Sequence, residues 1–366
     1  MSWRVLRVSN QCHWVVLSDN GLPTEDIYFL ESAAPALRAQ GLNVTRIVAP
    51  RTWGAVWRHG RNVLRQHAGA HVIVCRSLPP SWQRWLARHR QRFGYVAYLI
   101  DDDIEAAASD PTLPAAYRKR MAAIARRQPH LLQLCDEVVA CSDALAERFT
   151  SLHERVSVLT PPLIASLPSL AHFAEPPSAS SPWRVGFYGT RAHLQDLQHI
   201  APALSALQQT QRGTHLEVML GKFTPVDIAE LPNTTMPEPL PWQAFRRYQA
   251  RQQVHIGLAP LLATRFNAGK SFIKFLDIAA MGGVGIYSNR YPYDQVVKHG
   301  INGLLVGDSP EEWQAALQQL IQHPAETARM ARQAAQDAQR IGDPRHASHF
   351  WQARLGSGSV YQSGSK

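Results

Sequence analysis

The chain has 366 residues, 45% of them hydrophobic, and a formal net charge of +10. This length and composition exclude a disordered chain and favour an ordinary globular protein of two domains. No apolar run approaches the roughly 18 to 20 residues that span a bilayer, and the first residues lack the features of a signal peptide, so we expect a cytoplasmic protein.

The four cysteines, Cys12, Cys75, Cys135 and Cys141, form no CxxC pair and show no zinc-like spacing with histidine. Cys75 and Cys141 lie in or beside apolar runs, where a buried reduced thiol is expected. The sequence therefore predicts no metal site built on cysteine.

The first half of the chain alternates short apolar runs with amphipathic stretches. Predicted strands are His13–Ser18, Val44–Ala49, His71–Cys75, Tyr95–Ile100, Glu137–Cys141 and Val156–Leu159. Predicted helices between them are Asp26–Gln40, Ala55–Gln66, Ser81–Phe93, Ala115–Leu134 and Asp143–Thr150. This repeated alternation indicates a parallel sheet with helices on both faces.

The positive charge is concentrated between Arg51 and Arg92, which contain nine arginines and no Asp or Glu. Four tryptophans fall in the same stretch: Trp53, Trp57, Trp82 and Trp85. Such a segment suits an anionic surface, either phospholipid headgroups or nucleic acid. The alternative is two solvated basic helix faces whose tryptophans lie in the core.

Composition divides the chain into domains. We predict a first α/β domain over 1–165, a Pro-, Ser- and Ala-rich linker over 166–182 and a second α/β domain over 183–340. An amphipathic piece within 341–356, at His346–Arg354, is expected to pack back on the first domain. Residues 357–366 are expected to form a flexible Gly/Ser tail.

The second half restarts the alternation. Predicted strands begin at Trp183 and continue with Leu216–Leu220, Val254–Ala259, Gly283–Tyr287 and Gly303–Val306. Predicted helices run through His199 to Gln209 and over Trp242–Gln252, Lys270–Met281, Pro310–Gln322 and Pro324–Gln339. The predicted fold class is therefore α/β, with two doubly wound Rossmann-like domains facing a cleft, where such sheets bind ligands.

A glycine turn follows the first strand of the second domain, in GFYGTRAHLQDL. Gly186 and Gly189 bracket the strand end, and Thr190, Arg191 and His193 open the next helix. Backbone amides at a helix start attract phosphate, and an arginine adds a permanent charge. The alternative is that the glycines serve only the turn.

A second segment, ATRFNAGKSFIKFLDIAAMGG, concentrates basic residues at a predicted helix start. Lys270 and Lys274 are four residues apart, and like charges on one helix face repel unless an anion lies between them. A diphosphate is a natural anion for lysine, with Arg265 and Ser271 close by in sequence. Asp277 lies two turns along on a similar face, where it can accept hydrogen bonds from ribose hydroxyls.

These segments, with the strand VHIGLAPL and the HGINGLLV loop, span about 130 residues, from Arg184 to Trp313. In combination they resemble the retaining GT-B glycosyltransferases, most closely the bacterial family 4-like enzymes that build surface polysaccharides. The resemblance implies a nucleotide-diphosphate sugar in the second domain, with Arg191 and Lys270 on the diphosphate. It also implies donor contacts from Gly189, Thr190, His193, Arg265, Asn267, Ser271, Lys274 and Asp277.

The resemblance has one clear departure. Asp277 falls where these families place the second acid of a Glu-x7-Glu motif, but the first acid falls on Gly269. Asn302 and Gly303 fall in the loop that such enzymes often show as Asn-Gly-hydrophobic. The function of the first acid must come from elsewhere in this chain or be absent.

In the first domain, Asp101, Asp102 and Asp103 end an apolar strand and are the predicted acceptor-side residues. Three adjacent carboxylates suit a metal, a base or a helix cap. The resemblance to retaining GT-B enzymes implies that no metal is needed, and adjacent carboxylates alternate in direction and do not all converge, so a sugar-hydroxyl-binding or structural role is preferred. Asp19, after the first strand, is a candidate at the acceptor side of the cleft. Asp19, Arg191 and Lys270 are the predicted catalytic residues.

We therefore predict a glycosyltransferase that needs no cofactor beyond its sugar-nucleotide substrate and acts on a glycan or lipid-linked acceptor. The anionic surface expected for Arg51–Arg92 suggests a peripheral place on the inner face of the cytoplasmic membrane. One alternative is a sugar-nucleotide 2-epimerase of the same fold. The other is a basic nucleic-acid-binding protein, although no recognised nucleic-acid module is present and no specific nucleic acid is expected.

Overall fold

The computed structural model describes residues 13–19, 21–49, 52–211 and 213–356. Cys12, Arg51 and the tail predicted over 357–366 lie outside the described residues. The first part of the described chain contains the strands β1 (His13–Ser18), β2 (Asn43–Val48), β3 (His71–Cys75), β4 (Val96–Ile100), β5 (Glu137–Ala140) and β6 (Val156–Val158). They form a parallel sheet in the order β2-β1-β3-β4-β5-β6.

A second parallel sheet follows. Its strands are β7 (Trp183–Phe187), β8 (Thr214–Val218), β9 (Thr234–Thr235), β10 (Ile256–Ala259), β11 (Val284–Ser288) and β12 (Gly303–Val306). Their order is β12-β11-β10-β7-β8-β9, the doubly wound order of a Rossmann domain. The two sheets confirm the predicted α/β class with two Rossmann-like domains.

Helices connect the strands of both sheets. In the first domain they are α1 (Pro23–Glu25), α2 (Ala34–Ala39), α3 (Trp53–His67), α4 (Pro80–His89), α5 (Ile104–Ser109), α6 (Ala115–Ala125), α7 (Gln128–Leu132) and α8 (Asp143–Thr150). In the second they are α9 (Leu194–His199), α10 (Ala201–Thr210), α11 (Val226–Ala229), α12 (Trp242–Gln249), α13 (Arg265–Ala268), α14 (Ile273–Ala280), α15 (Pro310–Gln322) and α16 (Pro324–Ile341). The helix α17 (Pro344–Gln352) ends the described chain.

Three predicted helices are broken where the sequence places a proline. The predicted helix through His199 to Gln209 is divided at Ile200 into α9 and α10, and Pro202 lies in the first turn of α10. The predicted helix Ala115–Leu134 is split into α6 and α7, because Pro129 is tolerated in the first turn of a helix but not in its interior. The predicted helix Asp26–Gln40 contains a π-helical turn over Asp26–Leu30, and Pro35 lies in the first turn of α2. All three predictions were wrong in continuity, although helical segments are present.

The central strands of the two sheets are apolar on both faces, so they are buried beneath the helices that cover each sheet. Every residue of β3, β4, β10 and β11 is buried, as expected for parallel strands covered by helices on each side. Each domain has its own main hydrophobic core. Cys75, Cys135 and Cys141 are buried free thiols within the first.

Helix α17 returns the chain to the first domain. Trp351 is fully buried there, its indole nitrogen donating to the Tyr28 carbonyl at 2.9 Å. Arg354 is paired with Glu137 of β5. No helix among the described residues is both long enough and apolar enough to cross a membrane.

Candidate functional site

The candidate site lies where the carboxyl ends of the two sheets meet. The strand order reverses between β1 and β3 in the first sheet and between β7 and β10 in the second, and open α/β sheets bind ligands at such points. Ser142, after β5, donates to the Gly269 carbonyl at 2.9 Å. The Tyr28 hydroxyl lies 3.3 Å from Ser271 Oγ. These contacts place the loop 269–271 of the second domain against the first domain.

Lys270 occupies the centre of this contact. Its Nζ donates to Asp102 Oδ1 at 2.6 Å, and Arg76 binds the other oxygen of Asp102 at 2.8 Å. Burial raises the pKa of Asp102, but Lys270 and Arg76 outweigh it and hold that pKa below its ordinary value. Burial lowers the pKa of Lys270, and Asp102 outweighs it in the opposite direction. Lys270 therefore keeps its positive charge in a position where its side chain is only 17% exposed.

The three predicted acceptor-side aspartates have different surroundings. Asp102 binds Lys270 and Arg76, whereas Asp101 accepts from Thr24 Oγ1 at 2.5 Å and faces Arg76 at 3.3 Å. Asp103 caps helix α5 by accepting from the Ala106 amide at 2.9 Å. Of the alternatives considered from sequence, the helix cap describes Asp103, and Asp101 and Asp102 line the cleft.

The basic residues of the second domain do not converge as their spacing suggested. Helix α14 begins at Ile273, so Lys270 and Ser271 lie in the loop before it, and the prediction that Lys270 and Lys274 share a helix face is wrong. Lys274 Nζ donates to the Tyr188 carbonyl at 2.5 Å and pairs with Asp277 at 3.0 Å. The short helix α13 ends at Ala268 with Gly269 as its C-cap, and residues 269–272 separate it from α14.

Asp277 is held on the side of α14 that also carries Lys274. Besides that pair, its Oδ1 accepts from Gln249 Nε2 of α12 at 3.3 Å. The pair fixes α14 to the end of β7, since Lys274 also binds the Tyr188 carbonyl. A ribose at Asp277 stays a prediction.

The glycine turn after β7 is built by packing. A side chain on Gly189 would lie 2.5 Å from the Phe187 ring, so the turn requires glycine for space. Thr190 Oγ1 accepts from the Ala192 amide at 3.4 Å and starts a 3₁₀ turn over Arg191–His193. Arg191 is exposed, with its guanidinium 4.4 Å from the centre of the Phe223 ring. Its predicted phosphate contact is not tested by this geometry.

His193 is oriented by a buried carboxylate that was not among the predicted site residues. Asp196 Oδ2 lies 2.8 Å from His193 Nδ1, and its Oδ1 accepts from the Leu262 amide at 2.8 Å and from Asn267 Nδ2 at 3.0 Å. Asn267 is buried and supports Asp196. Its predicted contact with the donor stays a prediction.

The remaining predicted residues lie at the edges of the cleft. Asp19 follows β1 at the reversal point of the first sheet and accepts from Ser77 Oγ at 3.1 Å. Arg265 is 60% exposed, with its Nε 3.9 Å from Asp103 Oδ2. Asn302 is buried, and its amide donates to Asp337 Oδ2 at 3.0 Å, so it closes its own loop onto α16.

Gly269, where the resemblance leaves an acid missing, contacts the first domain. A Cβ on Gly269 would lie 3.4 Å from Asp103 Cβ and 3.6 Å from Leu145 Cδ1. A glutamate there would have to project along the surface of α8 and beside another carboxylate. The carboxylate nearest to the following residue, Lys270, comes instead from Asp102 of the first domain.

Arg76 was missed as a site residue because the sequence analysis counted it in the basic stretch. It follows β3 with a φ of 58°, in the left-handed region that a branched or long side chain seldom adopts. The Tyr98 hydroxyl donates to its carbonyl at 2.7 Å and holds this conformation. Its signal in the sequence was its place directly after a buried strand.

Across the described part of the chain, no group of three or more His, Cys, Asp or Glu side chains is placed to hold a metal ion.

No known family model matches this sequence, and no curated protein matches it either. Solved structures resemble it in fold. Sucrose-phosphate synthase from Thermosynechococcus elongatus aligns over 93% of this chain and 98% of its own, with 13% identity and a TM-score of 0.65. HepE from Anabaena, solved with UDP and glucose, aligns over 94% of this chain and 100% of its own, with 12% identity and a TM-score of 0.60.

A glycosyltransferase from Rickettsia africae aligns over 94% of this chain and 98% of its own, with 11% identity and a TM-score of 0.56. At these identities the likeness concerns the fold alone. It confirms the predicted GT-B architecture, in which two Rossmann-like domains face each other across a cleft.

Proposed function

We propose that this protein is a glycosyltransferase that moves a sugar from a nucleotide-diphosphate donor to a hydroxyl of a glycan or lipid-linked acceptor. The observation that carries the proposal is the position of Lys270, a charged lysine at the carboxyl end of the second sheet and in contact with the first domain. The fold supports it, because the similar HepE was solved with UDP-glucose. UDP-glucose is therefore the first donor to test.

In the proposed reaction the acceptor oxygen bonds to the anomeric carbon while the bond from that carbon to the phosphate oxygen breaks. The departing diphosphate gains negative charge, which Lys270 and Arg191 would stabilise electrostatically. An ammonium group has three N–H donors, so Lys270 can keep its bond to Asp102 and still donate to the diphosphate. The proton of the acceptor hydroxyl passes to the leaving diphosphate.

The other residues have supporting roles in this proposal. His193, held by Asp196, lies beside the diphosphate. Asp277 accepts from the ribose hydroxyls, with Lys274 balancing its charge. On the first domain, Asp19, Asp101 and Asp102 face the donor sugar and the acceptor. Asp103 acts through helix α5, which it caps. Retention of configuration, independence of metal and a role in cell-surface polysaccharide or glycoconjugate synthesis belong to the proposal, as does a peripheral place at the membrane.

The proposal is tested first by ligand binding and then by turnover. A ligand that binds only the folded state raises the melting temperature, so a panel of nucleoside diphosphates and their sugars, each with and without EDTA, identifies the donor. We expect one class of nucleoside diphosphate to raise the melting temperature. We also expect slow release of that nucleoside diphosphate from its sugar nucleotide. A panel without any shift would contradict the proposal, and a C2-epimerised sugar nucleotide without free nucleotide would identify an epimerase instead.

A further inference from the structure

A groove of about 420 Å³ lies between α3 and α4 on the first domain. Three arginines, Arg61, Arg84 and Arg88, line it together with His89 and two tryptophans, Trp57 and Trp85. None of these residues belongs to the candidate site described above. The groove is therefore a separate feature of the surface.

The apolar part of the groove is built by close helix packing. Gly60 of α3 lies against the Trp85 indole, and a side chain there would come within 2.2 Å of Trp85 Nε1. Trp85 packs in turn on the fully buried Trp82, with ring centres 4.9 Å apart. Trp57 is different: it is 65% exposed, with the Arg61 guanidinium 4.8 Å above its ring. Trp57 and Trp85 together line an apolar groove bordered by charged residues, and such a contiguous patch marks an interaction surface.

The charge around the groove has one sign. Residues 51–92 contain nine arginines and no acid. Of the eight that lie within the described residues, two turn inward: Arg76 binds Asp101 and Asp102, and Arg90 binds Asp136 and the Leu134 carbonyl. The arginines of the groove stay exposed, as do Arg58, Arg65 and Arg92 on the same two helices and the turn that follows. Among the described residues, the basic surface predicted for residues 51–92 therefore lies on the face formed by α3, α4 and the turn that follows α4.

We propose that the groove is the docking site for anionic phospholipid. In this proposal Arg61, Arg84 and Arg88 bind the headgroup phosphate. Trp57 and Trp85 lie at the membrane–water interface, where their rings contact hydrocarbon and their indole N–H groups contact water. A phospholipid fits better than nucleic acid, because the phosphate-binding cations surround an apolar floor. The inference deepens the proposed function by naming its membrane surface, but lipid binding is measured without donor or acceptor.

The test uses vesicle flotation of the full chain with phosphatidylglycerol in phosphatidylcholine, compared with phosphatidylcholine alone. The variant Arg61→Gln/Arg84→Gln/Arg88→Gln is compared with the matched control Arg251→Gln/Arg329→Gln/Arg332→Gln, which removes the same charge from exposed positions of the second domain. We expect the partition coefficient to fall about a hundredfold in the groove variant, because each arginine near an anionic surface contributes about 1 kcal/mol. The control variant should keep nearly all of its binding.

A second measurement does not depend on charge. Vesicles with brominated acyl chains quench tryptophans that reach the interface, and Trp57→Phe should remove much of that quenching while the protein still floats. Unchanged partitioning of the groove variant, or an equal loss in the control variant, would overturn the groove as the docking site. Binding to RNA or DNA that exceeds vesicle binding at equal salt would overturn it in favour of nucleic acid.

A second readout, the nucleotide-induced rise in melting temperature, distinguishes failure of the groove proposal from failure of the proposed function. The groove variant should show the same nucleotide-induced rise in melting temperature as the unchanged protein, since its residues lie outside the donor site. Loss of vesicle binding with an intact nucleotide shift supports the groove. Vesicle binding without any nucleotide shift would support the groove and contradict the transferase.

Discussion

Replacing Lys270 by alanine removes a charged group of the second domain that pairs with a buried carboxylate of the first domain. Asp102 takes one of the three N–H donors of Lys270, at 2.6 Å, and the centre of the Phe266 ring lies 4.1 Å from Nζ, so at least one donor stays available for a diphosphate. Hydrogen bonds to charged groups contribute about 1.5 to 3 kcal/mol each. Loss of a donor to transition-state charge lowers turnover by about 100- to 1,000-fold. We therefore expect kcat/KM of Lys270→Ala to fall at least about a hundredfold.

The fold should survive this change. Asp102 keeps its pairing with Arg76 at 2.8 Å, so the loss in the free energy of unfolding should stay below the roughly 3 kcal/mol that breaking a buried pair costs. Nucleotide release from the sugar nucleotide measures kcat/KM, and urea unfolding measures stability. Lys298→Ala, an exposed lysine in the same domain, is the matched control.

A double-mutant cycle separates donor binding from domain contact. If Lys270 serves only to hold Asp102, then Lys270→Ala and Asp102→Ala have equal effects and the double variant is no worse than either. If Lys270 binds the diphosphate, Lys270→Ala also lowers the rise in melting temperature caused by a nucleoside diphosphate without sugar, and Asp102→Ala lowers that rise less. Near-normal kcat/KM in Lys270→Ala would falsify the assignment outright.

Three further predictions follow from buried polar groups. Asp196→Asn removes the carboxylate that orients His193. We expect kcat/KM to fall roughly 10- to 100-fold, as when a partner that orients a metal-bound histidine is removed. Wild-type activity in this variant would contradict the role of Asp196. Burial lowers the pKa of His255 to about 4, so the unfolded chain binds more protons between pH 6.5 and 4. The free energy of unfolding is therefore about 3 kcal/mol higher above pH 6.5 than at pH 4, and this difference is lost as the pH falls between these values. Urea unfolding of His255→Phe should show a flatter pH dependence than the unchanged protein, and equal slopes would refute this. Glu137→Gln leaves Arg354 without its buried carboxylate and should cost about 3 kcal/mol, seen as a lower melting temperature; an unchanged melting temperature would show that α17 is held by packing alone.

The sequence was most informative where the chain alternates buried strands and amphipathic helices. All six strands predicted in the first domain are present, with ends within about two residues, because apolar runs such as His71–Cys75 are marked by hydrophobicity alone. The two-residue strand β9 was not predicted, since two residues show no alternation. The GT-B fold class followed from this pattern and from the motifs of the second domain.

The site was harder to predict because its residues meet only through tertiary contacts. The spacing of Lys270 and Lys274 indicated one helix face, but a loop held by Ser142 separates Lys270 from α14. Arg76 belonged by composition to a basic surface, yet its left-handed backbone turns it onto Asp101 and Asp102. Contacts between residues more than a hundred positions apart leave no local pattern to read.

The central claim is that a sugar nucleotide binds in the second domain against the loop that carries Lys270. Hydrogen exchange of the full chain, with and without the nucleotide that raises its melting temperature most, tests this claim directly. We predict slower exchange in residues 188–193 and 265–277, the two segments that face the cleft after β7 and β10. Protection confined to other segments, or no protection at a saturating nucleotide concentration, would contradict the account.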